Sequence, residues 1–387
     1  MTARGERPVD LDSSATTPVS RRVLEKMIPY FREEYGNPSS PYDAGERAKM
    51  AVTEARLAVA SFLGAESREI VFTSGGTESN QAAVRSSLLQ RPDRRTVVLS
   101  AIEHSSILGL ADEFERNGYR VRRVRPRPDG RIEAEDVDEA VTTDTALVAV
   151  MWVNNETGAI APVGTIGEIA HRKGALFHCD GVAAVGKVPV DLSAVGIDSL
   201  SLSAHKIYGP KGAGALFVRR TEAFHPLIPG SQERKRRGGT ENVPGIVGLG
   251  EATREAMDFL SSGVEPVKRL RDRFEHGVLQ MFPGARRNAP AEEAVRAPHM
   301  TNLLFPGIPG EKLLWFLGKK GIRVSMGSAC SAGSVEPSHV LLSMGLTREE
   351  ALSSLRFSLG RQVTEADIDR TLAVLSEMAV TVGRRVS

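Results

Sequence analysis

The chain has 387 residues, 41% hydrophobic and 25% charged, with a formal net charge of +2. That length allows a large core and more than one domain. The near-neutral balance gives neither nucleic acid nor an anionic membrane as an expected partner.

The start, MTARGERPVDLDSS, has no apolar core of signal-peptide length, and no stretch approaches a membrane span. Two cysteines, Cys179 and Cys330, argue against a disulfide framework and fit a reducing, cytoplasmic setting. Asp43 reads as a helix cap ahead of GERAKMAVTEARLAVASFLG. Val52, Ala55, Val59 and Phe62/Leu63 recur there at the spacing of one helix face, and Gly64 supplies a stop. EIVFTSGGTESN reads as a strand from Ile70 to Thr73, a Gly-Gly turn and a helix from Thr77. TVVLSAIEHSS repeats the scheme with a strand from Thr96 to Ser100, as do TALVAVMWVNNETG, ALFHCDG and DSLSLSAHKIYG. Five short apolar runs ending in polar residues, with helical patterns between several of them, predict βαβ units and a mainly parallel sheet. Around Ser261-Ser262-Gly263 the composition shifts, and the helical pattern VKRLRDRFEHGVLQMF follows. We place a domain boundary there: a large domain over 14–260, and a smaller one from 1–13 and 261–387 that carries Cys330. Thr364 with Asp367 predicts the cap of a last helix, with Ile368, Leu372, Leu375, Ala379 and Val382 as its buried stripe.

In parallel sheets the strand C-termini line the ligand crevice. Gly76/Thr77, His104, Asn155, Asp180, Ser203, His205 and Lys206 are therefore expected to meet. Lys206, just after a strand, suits covalent attachment to a carbonyl carbon, because burial lowers its pKa. Asp180, ending a buried strand, needs a cationic partner or several hydrogen bonds; the pyridinium nitrogen of pyridoxal phosphate (PLP) is such a partner. Gly75-Gly76-Thr77, between strand and helix, can cradle an anion, with Ser203 and His205 adding donors. His104 can stack on a ring and move protons. Each alone has a plainer reading: a surface lysine, a buried ion pair, a tight turn, a solvated histidine. Cys330 in GSACSAGS has no second cysteine nearby for a disulfide or metal site, whereas Cys179, inside an apolar run, reads as a small core residue.

With those residues in hand, the chain resembles a cysteine desulfurase of the NifS/IscS type, PLP enzymes of the class V aminotransferase family. The resemblance runs through LDSSATTPV, YGNPSSPYDAG, EIVFTSGGTESN, EHSS, VNNETG, DGVAAVGKVPVDL, SAHKIYGPKG, QERKRRGGTEN, GSACSAGSVEPSHVL and SSLRFSLGR. It implies an α/β, type I PLP-dependent aminotransferase fold with a smaller α+β domain. By motif, Lys206 holds PLP covalently, Asp180 pairs with the ring nitrogen, His104 stacks on the ring and shuttles protons, and Asn155 contacts the ring hydroxyl. Gly76, Thr77, Ser203 and His205 bind the phosphate. Thr240 reaches the phosphate of a neighbouring subunit, which implies a homodimer. Asn37 and Arg356 hold the substrate carboxylate, for which a guanidinium suits a bidentate clamp. Cys330 takes sulfur as a persulfide, L-cysteine becomes L-alanine, and the sulfur passes to an acceptor protein; no metal is implied. An unperturbed thiol is about 3% ionised at pH 7, so an activating group is expected, His104 or the substrate adduct.

The chain departs from the family pattern in places. Ala183 stands where a glutamine usually bonds the ring hydroxyl, and Met326 where a serine is usual. Pro229-Gly230-Ser231 replaces a glycine triplet. The ending GRRVS is without the longer tail that many IscS-type enzymes use to dock an iron–sulfur scaffold, so the acceptor stays open between such a scaffold and a dedicated thio-biosynthesis pathway. A selenocysteine lyase shares the fold and motifs and is the nearest alternative. An RNA-binding protein using Arg234-Lys235-Arg236-Arg237 is the reading from a different class, which the near-zero charge disfavours.

Overall fold

The computed structural model describes residues 7–221, 223–327 and 336–386. Cys330 and the GSACSAGS segment beyond Gly327 lie outside the described residues. After β1 (Val9–Asp10) come the strands of the main sheet: β2 (Ile70–Thr73), β3 (Thr96–Ser100), β4 (Arg120–Val124), β5 (Thr145–Ala149), β6 (Leu176–Asp180), β7 (Ser199–Ser203) and β8 (Gly214–Val218). Their order is β2-β8-β7-β6-β5-β3-β4. The run from β4 to β7 is parallel, while β8 lies antiparallel to both β7 and β2. Only residues 204–213 join β7 to β8, too short for a parallel crossover, which takes a dozen or more residues. The mainly parallel sheet is as expected, with this antiparallel margin added.

The apolar runs are continuous because both faces of the sheet are covered. In β3, Val97 and Leu99 join a cluster with Ile107, Phe114 and Leu147. Val98 between them faces the larger core with Val148, Phe177 and Leu200. β4 escaped notice because it is an edge strand whose arginines face water. It lies on the opposite side of β3 from β5, so the chain reverses direction across the sheet there. A crevice is expected outside the carboxyl ends at such a switch.

Strands β9 (Arg286–Arg287), β10 (Met300–Leu304), β11 (Ile322–Arg323) and β12 (Ser354–Ser358) complete the set, with β10 between β12 and β9 and β1 paired to β11. A second core gathers here: Val9, Leu11, Phe274, Phe305, Phe357 and Leu375, with the Phe274 and Phe357 rings 4.7 Å apart. One long helix ends at Ser262 and the next starts at Val264, where the composition shifts. Thr364 and Asp367 cap each other reciprocally: Asp367 N donates to Thr364 Oγ1 at 3.3 Å and Thr364 N to Asp367 Oδ2 at 2.9 Å. Ile368 and Leu375 of the predicted stripe are fully buried. Asp43 corrects one expectation. It is the first residue of the helix Asp43–Leu63, with Tyr42 at the cap position. Its carboxylate bonds Ala44 N and Arg47 instead of reaching into the first turn. Gly64, at φ +65°, ends that helix as predicted.

Candidate active site

A cavity of about 450 Å³ opens at the carboxyl ends of the parallel strands. Gly76, Thr77, His104, Asn155, Asp180, Ser203, His205, Lys206 and Arg356 all line it. Nine residues scattered over 281 positions of sequence thus converge through the sheet. Two of the expected residues stand elsewhere. Asn37 is exposed, its side chain accepting from Ser39 N at 2.9 Å. Thr240 is exposed at a separate cavity of about 190 Å³, beside Ser74, Arg237 and Asn242.

Lys206 sits in a single 3₁₀ turn directly after β7. Its Nζ donates to Ser14 O at 2.5 Å and Ala15 O at 2.9 Å. Burial, then the Arg356 charge, push its ammonium down to about 8, against the pull of Asp12 and Asp180. At pH 7 roughly a tenth of such an amine is neutral, against well under a thousandth of an ordinary lysine.

Asp180 closes β6. Its Oδ1 accepts from Val182 N at 2.9 Å and its Oδ2 from Asn80 Nδ2 at 2.7 Å. Asn80 also donates to Ser106 Oγ at 2.8 Å and accepts from His178 Nε2 at 3.0 Å. Burial pushes His178 down to about 3, so it is a neutral ring donating from Nε2 at physiological pH. Ser106 continues the chain to His104, lying 2.8 Å from Nδ1 through its hydroxyl and donating its N–H to the same atom at 3.1 Å. Nδ1 is therefore an acceptor, and the neutral ring carries its proton on Nε2. Burial lowers the His104 pKa, opposed by the nearby Asp180 charge.

Gly76 and Thr77 bring a helix N-terminus to the cavity. Gly75 has φ +152°, and the helix Gly76–Gln90 starts beside it. A Cβ on Gly76 would lie 2.6 Å from Val182 Cγ2, and one on Gly214 would lie 2.6 Å from Gly75 Cα. Only glycine lets these backbones pack and leaves the first-turn N–H groups open to an anion. His205, pushed down to about 4 chiefly by burial, is held by Thr16 Oγ1 at 3.1 Å.

Arg356 projects from β12. Its Nη2 bonds Asp12 Oδ1 at 2.7 Å and its Nη1 donates to Asn155 O at 2.9 Å, while its buried Nε has no partner among the described residues. With Asp12 already on Nη2, the open Nε–H is the donor left for a further acceptor oxygen, such as that of a substrate carboxylate. Lys187 and His299 also line the cavity, both buried. Burial pushes Lys187 down to about 7. Asn80, Asp12, Lys187 and His299 were not picked out from the sequence. Asn80 lies one helical turn beyond Gly76 and could have been found by extending that helix. Nothing in the spacing of Asp12 and Arg356, 344 positions apart, connects them.

The donor set fits PLP: a depressed lysine amine, a hydrogen-bonded carboxylate with no ion-pair partner among the described residues, an imidazole, and a helix N-terminus, all on one cavity. Fold and site together define a PLP-dependent enzyme of the type I aminotransferase fold. The comparisons agree. Residues 9–371 match the aminotransferase class-V family model. A cysteine desulfurase of Trichormus azollae is 45% identical over 369 residues, 95% of this chain and 92% of that protein. A solved NifS-like protein superposes with a TM-score of 0.90 at 35% identity, over 97% of this chain and all of that one. SspA, solved in complex with cysteine, gives 0.80 at 35% identity over 91% and 98% of the two chains. The chain belongs to the NifS/IscS-type cysteine desulfurases of the class V aminotransferase family.

Proposed function

We propose that this cavity converts L-cysteine to L-alanine and loads the sulfur onto Cys330 for delivery to an acceptor protein. The observation that carries the reading is Lys206 and Asp180 facing one cavity whose other end holds Arg356 with an unsatisfied Nε. The cysteine bound to the SspA relative supports the substrate.

Lys206 would hold PLP, and the Asp180 carboxyl group, fixed by Asn80 and Val182, would pair with its ring nitrogen. The Gly76–Thr77 helix start, Ser203 and His205 take the phosphate, and Asn155 the ring hydroxyl; Ala183 adds only a methyl group there. Bound PLP supplies an electron sink for the bonds broken at the amino acid. Arg356, oriented by Asp12 and Asn155 O, receives the substrate carboxylate. Lys206 and His104 carry protons, His104 through Nε2. Cys330 attacks the substrate sulfur as a thiolate: an S–S bond forms, the C–S bond breaks, and a proton replaces sulfur on carbon. L-cysteine and the Cys330 thiol thus give L-alanine and a Cys330 persulfide, with every atom accounted for.

The finer points belong to the same proposal. The two units, 14–260 and 1–13 with 261–387, each supply part of the site, and the setting is a reducing cytoplasm. The enzyme is a homodimer: Leu24, Ile28, Phe31, Tyr35, Tyr42 and Met50 are exposed on the helices and links near the start of the chain, and Thr240 stands at a cavity of its own. The RNA-binding reading loses support from the basic run. Arg237 pairs with Glu78 at 3.0 Å, and Arg234 and Arg236 bond the carbonyls of Ser67 and Arg68.

The test is turnover. Holoenzyme given L-cysteine and a reductant is expected to release alanine, and Lys206→Ala to release none and lose the PLP absorbance. A wild-type protein that binds no PLP contradicts the reading, and a strong preference for selenocysteine turns it into the lyase.

A further inference from the structure

Glu156 lines no part of the cavity, yet its buried carboxylate meets the segment bearing Cys330 on both flanks. Its backbone is fixed in a tight turn: Asn154 Oδ1 accepts from Glu156 N, Thr157 N and Thr157 Oγ1 at 2.9–3.1 Å, and Asn302 Nδ2 donates to Glu156 O at 3.3 Å. On the first flank stands Gly327, at φ +82°. A Cβ there would lie 2.4 Å from Glu156 Oε2, so the backbone presses against the carboxylate. Gly327 N donates to Ser325 Oγ at 3.1 Å, and Ser325 exchanges both backbone hydrogen bonds with Arg356, at 3.2 and 2.7 Å. On the second flank Ser338 Oγ bonds the same Oε2 at 2.5 Å. That hydroxyl already accepts from Val340 N and Leu341 N, so its one proton points to Glu156. His339 Nε2 then bonds Glu103 O at 3.0 Å.

Gly327 itself lines the cavity, and Cys330 follows it by three positions in the sequence.

We propose that Glu156 is a positioning residue for sulfur transfer, the shared anchor that registers the Cys330 segment against Arg356 and the cofactor site. The proposal rests on the desulfurase reading above. Glu156 touches neither substrate nor cofactor; it acts through Gly327 and Ser338.

The test uses PLP-loaded wild type, Glu156→Ala, Glu156→Gln and Ser338→Asp, each pulsed with L-cysteine without acceptor. Persulfide on Cys330 is read by mass spectrometry and initial rates are taken against cysteine concentration. Glu156→Ala and Ser338→Asp are expected to slow persulfide formation roughly a hundredfold, the scale of an ångström's misplacement. PLP absorbance should be kept, and KM for cysteine should stay within about twofold, because ground-state binding is untouched. Glu156→Gln, whose amide oxygen still accepts from Ser338, should recover to within about tenfold of wild type. Asp at position 338 keeps the helix cap while setting a carboxylate against Glu156, so it decides the matter if Glu156→Ala fails to fold. Wild-type rates in Ser338→Asp, or no rescue by Gln over Ala, overturn the proposal. A wild type that forms no persulfide overturns the desulfurase reading itself, which separates the two failures.

Discussion

Lys206 is half neutral near pH 8 because it is buried beside Arg356, and only the neutral amine can attack a carbonyl. Capture of PLP by apoenzyme should therefore speed up about tenfold per pH unit below 8 and level off above it. Stopped-flow absorbance follows the step; a rate still climbing at pH 10 would mean an ordinary lysine. Asn80 is tested in the same way. Asn80→Ala removes the Nδ2 donor from Asp180 and the link through Ser106 to His104. A hydrogen bond to a charged group contributes about 1.5–3 kcal/mol, so PLP affinity should fall by about tenfold or more, measured by equilibrium titration. Unchanged affinity would show that Asp180 does not depend on this bond. Residues at strand ends were legible from the sequence because a parallel sheet gathers them by rule: Lys206, Asp180, His104 and Asn155 needed no contact information. Lys187 and His299 reach the cavity, and Asp12 reaches Arg356 beside it, by tertiary packing alone, and no local pattern marks such residues. Asn37 was placed by resemblance and stands in the solvent, its side chain satisfied by its own turn.

At the scale of elements, the loop QERKRRGG carries the clearest strain. Glu233, Arg234 and Lys235 have φ of +46°, +58° and +66°, a left-handed run that costs roughly 1–2 kcal/mol per residue. The buried Glu233 carboxylate holds it, gripped by Arg56 through two 2.6 Å bonds and by Phe72 N at 2.9 Å. Arg56→Ala leaves that carboxylate unpaired and should destabilise the protein by about 3–5 kcal/mol. A denaturant midpoint matching wild type would contradict this. The same loop leads on to Thr240. The helix Asp43–Leu63 and the strands β2 and β3 were readable from period and punctuation, the strands down to their limits, but the long helix Val243–Ser262 was not. β4 and the antiparallel β8 were not, since one is polar and the other is placed by the shortness of its link.

For the whole molecule, the exposed apolar side chains from Leu24 to Met50 are the surface a second copy is expected to cover. Light scattering should give a dimer, and Phe31→Asp should weaken it; a monomer at micromolar concentration would contradict that. The two cores meet at the cavity, with Arg356 and Gly327 contributed from one side and Lys206 and Asp180 from the other. The most direct check quenches a single turnover without acceptor and counts alanine against persulfide, mapped by peptide mass. The account predicts equal amounts, all sulfur on Cys330, and neither product in Cys330→Ser. Cys179 should carry none, because it is fully buried and its thiol is pushed well above the usual range. Alanine formed by Cys330→Ser at the wild-type rate, or sulfur found on another residue, would contradict it.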